Sequence, residues 1–150
     1  MLDARIKSLN YLNLVFAKLE AKAAQVDHAL LDLGGYICEA PGFNVFLVDG
    51  RRLRTPVHDI LEGISRATVL ELAAEASFDC HEEDLDLYHA YCADEMFLTS
   101  TAGGLLPVTE LDGRRIGAGE PGPVFRTPAD GYRTLLESGR YSTSASEERG

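Results

Sequence analysis

The stretch EAPGFNVFLVDGRRLRTPVHDILEGISR, Glu39 to Arg66, leaves the chain around it few options. Pro41 and Gly42 force a turn directly after a carboxylate, since proline presets its backbone angle and glycine tolerates the left-handed region. Phe43 to Val48 is a strand-like run that meets Asp49-Gly50, a strong short hairpin signal. The return strand, Leu53 to Thr55, stops at Pro56. A short connection leads to Leu61-Glu62-Gly63-Ile64-Ser65-Arg66, where a glycine turn opens a long helical pattern. A Gly-Ile-Ser entry exposes backbone N–H groups and a hydroxyl at the positive end of the helix dipole, which suits an anion such as a phosphate. Every helix has such an end. The cup gains weight from the carboxylate one hairpin upstream.

Taken in order, residues 8 to 24 predict an amphipathic helix. Leu9, Leu12, Phe16, Leu19 and Ala23 share one stripe, with Lys18, Glu20 and Lys22 facing away and Ser8 as the cap. Ala29 to Leu33 and Tyr36 to Cys38 predict two short strands around Gly34-Gly35. Ser65 to Ala76 predicts a second helix with Ala67, Leu70 and Ala74 inward, joined by Val69 and Leu72. A brief strand at Phe78 to Cys80 and a helix from His81 to Tyr91 follow, the latter opening on Glu82-Glu83-Asp84. Glu95 to Thr99 predicts a buried strand running into the polar turn Ser100 to Gly104. Leu106 to Thr109 and Arg115-Ile116 flank Asp112-Gly113 as a second hairpin, and Phe125 to Leu136 is the last helix. Beyond Gly139 the chain is rich in Ser and Glu and lacks a periodic face, so a disordered tail is expected over 140–150. Clustered strands with flanking helices define an α/β domain, of α+β character with a mixed sheet, over 1–139.

At 150 residues the chain is long enough for one domain with a real core. A net charge of −10 argues against nucleic acid and against an anionic membrane surface as partners. Cys38, Cys80 and Cys92 are odd in number and form no CxxC, so reduced thiols in a cytoplasmic protein are expected. The opening MLDARIKS carries charge from its third residue and has no apolar signal-peptide core, and no run approaches membrane-spanning length. Cys80, His81, His89 and Cys92 mix metal-ligand types, but structural zinc sites pair their cysteines at short spacing. No metal is expected, and Cys92 belongs to the core.

Taken singly, Lys7 is an ordinary surface lysine, Glu39 a turn glutamate, Ser65 a helix cap and Thr101 a turn residue. Their joint pattern is not ordinary. Lys7-Ser8-Leu9-Asn10-Tyr11-Leu12, Glu39 through Phe46, Thr55-Pro56, Leu61 through Arg66, Ala93-Asp94-Glu95, and Thr99 through Gly104 with Pro107-Val108 resemble the class IV (fold type IV) pyridoxal-phosphate aminotransferases. Branched-chain and D-amino-acid aminotransferases and (R)-selective amine transaminases make up that family. The resemblance covers nearly all of residues 5 to 137, which is the C-terminal half of a usual member.

What the resemblance implies is specific. Lys7 would form the Schiff base with pyridoxal 5'-phosphate (PLP) and then shuttle the proton at the substrate carbon; the chemistry needs a neutral amine, hence burial or a nearby cation. Glu39 would accept the hydrogen bond of the pyridinium nitrogen, and Tyr11 would reach the phenolic oxygen. Leu61 would pack on the ring face. Ile64 and Ser65 would hold the phosphate by backbone N–H groups, with the Ser65 and Thr101 hydroxyls adding bonds. Ala102 and Gly103 would offer N–H groups to the substrate carboxylate. Pro41 departs from the small or hydroxylated residue usual there.

Transamination between an amino acid and a 2-oxo acid by a homodimer is the implied activity. Tyr11 leans toward branched-chain substrates with 2-oxoglutarate. The Thr101-Ala102-Gly103-Gly104 turn and the short link from Thr55 to Leu61 lean toward (R)-amines, while D-amino-acid enzymes typically carry leucine where Tyr11 stands. The family's N-terminal domain brings a phosphate-binding arginine and a pocket wall. The chain alone is therefore expected to be a poor enzyme or an inactive binding and oligomerisation module.

Overall fold

The computed structural model describes residues 4–8 and 10–139. In chain order, α1 (Leu12–Ala23) leads to a small antiparallel hairpin of β1 (Asp32–Leu33) and β2 (Tyr36–Ile37). Then come β3 (Glu39–Ala40), β4 (Phe43–Asp49), β5 (Arg52–Thr55), α2 (Ile64–Glu75), β6 (Asp79–Glu82), α3 (Leu87–Cys92), β7 (Glu95–Ser100) and β8 (Gly104–Val108). A short hairpin of β9 (Glu110–Leu111) and β10 (Arg114–Arg115) precedes α4 (Pro123–Glu137).

The central sheet is six-stranded and mixed, ordered β6-β5-β4-β7-β8, with β3 also paired to β4. Its pairings are antiparallel except β5 with β6. Parallel neighbours need a crossover, and α2 supplies it. The mixed sheet and the hairpin at Asp49-Gly50 agree with the sequence. Gly50 sits at φ 58°, where a side chain would be strained, and its N–H donates to Asp94 Oδ2 at 2.8 Å.

β4 is apolar on both faces because both are covered. Val45 and Leu47 join Met96 and Leu98 of β7 under Ile37, Leu85, Ala90, Ala93 and Ile116. Phe46 and Val48 join Phe97 under Val69 and Ala73 of α2 and Val124 and Phe125 of α4. Phe46 and Phe97 are register partners, stacked 5.0 Å apart, and Phe125 meets Phe97 edge-on at 5.5 Å. At about 25 cal/mol per Å2 of apolar surface, such rings dominate the stability of this face. The start of α4 is pinned by a remote carboxylate. Val124 and Phe125 donate their N–H groups to Glu95 at 3.0 and 2.7 Å, and a Cβ on Gly122 would collide with that carboxylate.

Several expectations give way to the structure. α1 begins at Leu12 rather than at residue 8; Tyr11 occupies its cap without a side-chain bond, and Ser8 Oγ accepts from Asn10 N instead. Leu9 lies outside the described residues, as does 140–150. The α1 stripe is not buried: Leu12, Phe16 and Leu19 are 57, 54 and 55% exposed, and the residues turned inward are Ala17 and Ala21. In α2 the buried side chains are Ser65, Arg66, Val69 and Ala73, so Ala67 and Ala74 face out. The third helix is far shorter than His81 to Tyr91. His81 and Glu82 extend β6, and Asp86 caps α3 by accepting from His89 N at 3.0 Å. Residues 106–108 pair with β7, leaving the Asp112-Gly113 hairpin to β9 and β10. Cys92 is exposed rather than core.

Glu95→Ala is expected to cost about 1.5–3 kcal/mol in a urea melt, because two buried donors lose a charged acceptor. Glu95→Gln keeps an acceptor and should lose less; equal stability of all three chains would show that the contact does not matter.

Candidate active site

One lateral row of the sheet organises the site. Glu39 of β3 is the register partner of Asn44 on β4, and Asn44 is the register partner of Thr99 on β7. The turn at Pro41-Gly42 makes the first pairing possible, and Pro41 is itself buried without disturbing it. Glu39 and Asn44 both reach the peptide of Leu61. Leu61 N–H donates to Glu39 Oε2 at 3.1 Å, and Asn44 Nδ2 donates to Leu61 O at 2.8 Å. A segment without secondary structure is thereby fixed just before α2. Gly63 belongs to the same clamp, since any Cβ there would run into Asn44 Oδ1.

Gly63-Ile64-Ser65, expected to form an anion cup, opens α2. Gly63 is the N-cap of α2, extended at ψ 138°, and no side chain caps the helix. The first-turn N–H groups therefore have no acceptor from within the helix. Ile64 is exposed at the rim, whereas Ser65 is 3% exposed. The Ser65 hydroxyl, expected to face a phosphate alone, is paired at 2.8 Å with the hydroxyl of Tyr132 from α4. Leu61 is half-buried beside it.

The second turn, Thr101 to Gly103, follows β7 at the same end of the sheet and is exposed. Gly103 departs from the expectation in one respect: its N–H donates to Ser100 Oγ at 2.8 Å. It also lies against Phe43, where an added Cβ would stand 2.9 Å from Cε1. Lys7 and Tyr11 are exposed, so the burial that a reactive lysine needs does not come from the described residues. Lys7 is nonetheless in electrostatic reach of Glu39. Burial pushes the Glu39 carboxyl above the ordinary glutamate value, while the Leu61 N–H and the Lys7 charge pull it back only in part.

Arg66, the nearest buried cation, is committed elsewhere. Its guanidinium donates to Glu82 at 2.6 Å, to Pro56 O at 2.9 Å and to Thr55 Oγ1 at 3.3 Å. Cys80, His81, His89 and Cys92 do not converge; among the described residues no three such side chains form a metal-binding group. No described helix is long and apolar enough to cross a membrane.

Three residues of the site were not foreseen. Asn44 had a signal, an amide inside an apolar strand, which needs a buried partner. Thr99 is buried, and its Oγ1 has no hydrogen-bond partner among the described residues. Tyr132 had none, because its contact joins residues 67 positions apart.

Comparison with known proteins gives the family. The profile of the family described as amino-transferase class IV matches residues 2–111. The branched-chain-amino-acid aminotransferase of Pseudomonas aeruginosa is 40% identical over 137 residues, 90% of this chain and 44% of that protein. The D-alanine aminotransferase of Bacillus licheniformis is 39% identical over 142 residues, 93% of this chain and 49% of that protein. Among solved structures, the PLP form of the branched-chain amino acid aminotransferase from Thermobaculum terrenum superposes with a TM-score of 0.88 at 37% identity, covering 92% of this chain and 47% of that one. The chain belongs to the class IV aminotransferases. It spans about half the length of these relatives.

Two measurements probe the clamp. Asn44→Ala should lower stability by about 1–3 kcal/mol, since the Leu61 carbonyl loses a donor in a half-buried place. Glu39 holds its proton more tightly folded than unfolded, so its contribution is fully present below the ordinary glutamate value and is lost as pH rises through the raised one. Glu39→Gln, which keeps an acceptor for Leu61 N–H, should therefore raise the unfolding midpoint at pH 7 and match the parent below about pH 4. Identical midpoints at pH 7 would contradict that account.

Proposed function

We propose that this chain is the PLP-binding half of a transaminase that moves an amino group between an amino acid and a 2-oxo acid. The observation that carries the reading is Glu39, a carboxylate kept short of partners by burial and tied through Leu61 to an uncapped helix N-terminus. That pairing fits PLP, a molecule with a cationic ring N–H at one end and a phosphate at the other.

In this reading Glu39 accepts the ring N–H and keeps that nitrogen protonated. The N–H groups of Ile64 and Ser65, with the hydroxyls of Ser65 and Thr101, hold the phosphate; the helix dipole adds about 0.3–2 kcal/mol to these bonds. Leu61 packs on the ring, and Tyr11 reaches its oxygen substituent. Bound there, PLP supplies an electron sink for the carbon whose amino group is exchanged. Lys7 would hold the cofactor by its amine, and the same Nζ would carry the proton at that carbon. Ala102, with Gly103 once its bond to Ser100 is released, receives the substrate carboxylate.

Branched-chain amino acids with 2-oxoglutarate are the substrates we favour. Tyr11 supports this, as do relatives bearing that name. A D-amino acid is the second reading, supported by the similarity to the Bacillus licheniformis D-alanine aminotransferase. A cytoplasmic homodimer, with 1–139 as the cofactor-binding domain, completes the proposal. The exposed stripe of α1 supports a covering surface contributed from outside the described residues.

Borohydride reduction of the chain with PLP, followed by peptide mapping, tests the assignment. One dominant label at Lys7 is expected, lost in Lys7→Ala; labels spread over surface lysines would refute it. With leucine and 2-oxoglutarate the chain alone should show negligible turnover. Rates usual for enzymes, about 1–1000 per second, would show that the pocket needs no other half.

A further inference from the structure

Tyr132 brings α4 to the cup, and three features put it there. Glu95 fixes the start of the helix through the N–H groups of Val124 and Phe125. Val124, Phe125 and Pro128 bury its inner face. Gly131 lets α4 come close to α2, since a Cβ there would stand only 3.1 Å from Leu72 Cδ2. The next residue, Tyr132, then meets Ser65 Oγ at 2.8 Å.

We propose that Tyr132 is a positioning residue for the phosphate group of the cofactor, acting through the Ser65 hydroxyl. The inference deepens the PLP-binding reading and rests on it. Proton arithmetic makes the case. Two hydroxyls carry two protons, and the bond between them uses one, whichever is the donor. With Tyr132 as the donor, the proton left over is that of Ser65, and the N-terminus of α2 is where an anion would accept it. A helical serine otherwise tends to bond back to the carbonyl four residues earlier. That carbonyl, Leu61 O, already accepts from Asn44 Nδ2. Ser65 is too buried for water to orient it, so the tyrosine sets its direction. Hydrogen bonds in such a chain also polarise one another, which makes the free proton a better donor to an anion.

The test is a set of binding titrations, followed by absorbance, with PLP and with pyridoxal, which lacks the phosphate. Tyr132→Phe is expected to raise the dissociation constant for PLP about 3- to 10-fold, the loss of one hydrogen bond, with pyridoxal unchanged. Ser65→Ala should also weaken PLP selectively, and adding Tyr132→Phe to it should change nothing further. Unfolding midpoints of the ligand-free variants serve as the control on the fold. Equal weakening of PLP and pyridoxal, no weakening at all, or full multiplication of the two effects would overturn the role of Tyr132. A parent chain that binds PLP no better than pyridoxal would bring down the phosphate cup itself, and Tyr132 with it.

Discussion

The peptide of Leu61 is held from both sides, its N–H by Glu39 and its C=O by Asn44. Everything else in the site takes its position from that grip. The segment 56–63 between β5 and α2 would otherwise be free to place the start of the helix anywhere within several ångströms. Held this way, the carboxylate and the helix N-terminus stand at a fixed separation set by the tight turn at Pro41-Gly42. The geometry is inexpensive in sequence terms: one amide, one acid and a glycine whose side chain would obstruct the amide. Its sensitivity is correspondingly local, since each of the three acts on the same short segment.

The sheet below supplies stiffness and the helices supply charge placement. β4 and β7 are buried on both sides, so Asn44 and Thr99 ride on the most enclosed strands, and Glu39 of β3 is paired to the first of them. Arg66 shows how firmly the opposite side is tied: its guanidinium is spent on the β5 end and on Glu82, and it braces the first turn of α2 against the sheet. The first turn is braced by a side chain and not by a cap.

Much of this was legible in the sequence, for a physical reason. Turn chemistry is local, so Asp49-Gly50 and Gly63 placed β4, β5 and α2 almost where they are, while the β3 pairing of Glu39-Ala40 was not read. Short apolar runs marked β7 and its polar exit. What escaped was set at a distance. The apolar stripe of α1 is exposed among the described residues, and the side chains it buries are Ala17 and Ala21. The acidic run at Glu82 to Asp84 suggested a helix start, but pairing with β5 extended β6 through Glu82 and left the cap to Asp86. Glu95 and Tyr132 act on elements far along the chain, and only packing reveals them. Among the site residues, Glu39 meets Leu61, and Ile64 and Ser65 follow in the first turn of α2. Lys7 and Tyr11 lie exposed at the margin, and Gly103 turns its N–H inward.

The lateral row has a consequence for how the molecule assembles. Glu39 and Asn44 are close in sequence, but Asn44 meets Thr99 only after α2, β6 and α3 have all been gathered between them. Closing a loop of that span is slow compared with forming a hairpin or a helix. The β3–β5 meander can therefore exist early, with its clamp on Leu61 already shut, while the row stays open on one side until β7 docks. The row Glu39, Asn44, Thr99 is thus complete only when β7 has paired with β4.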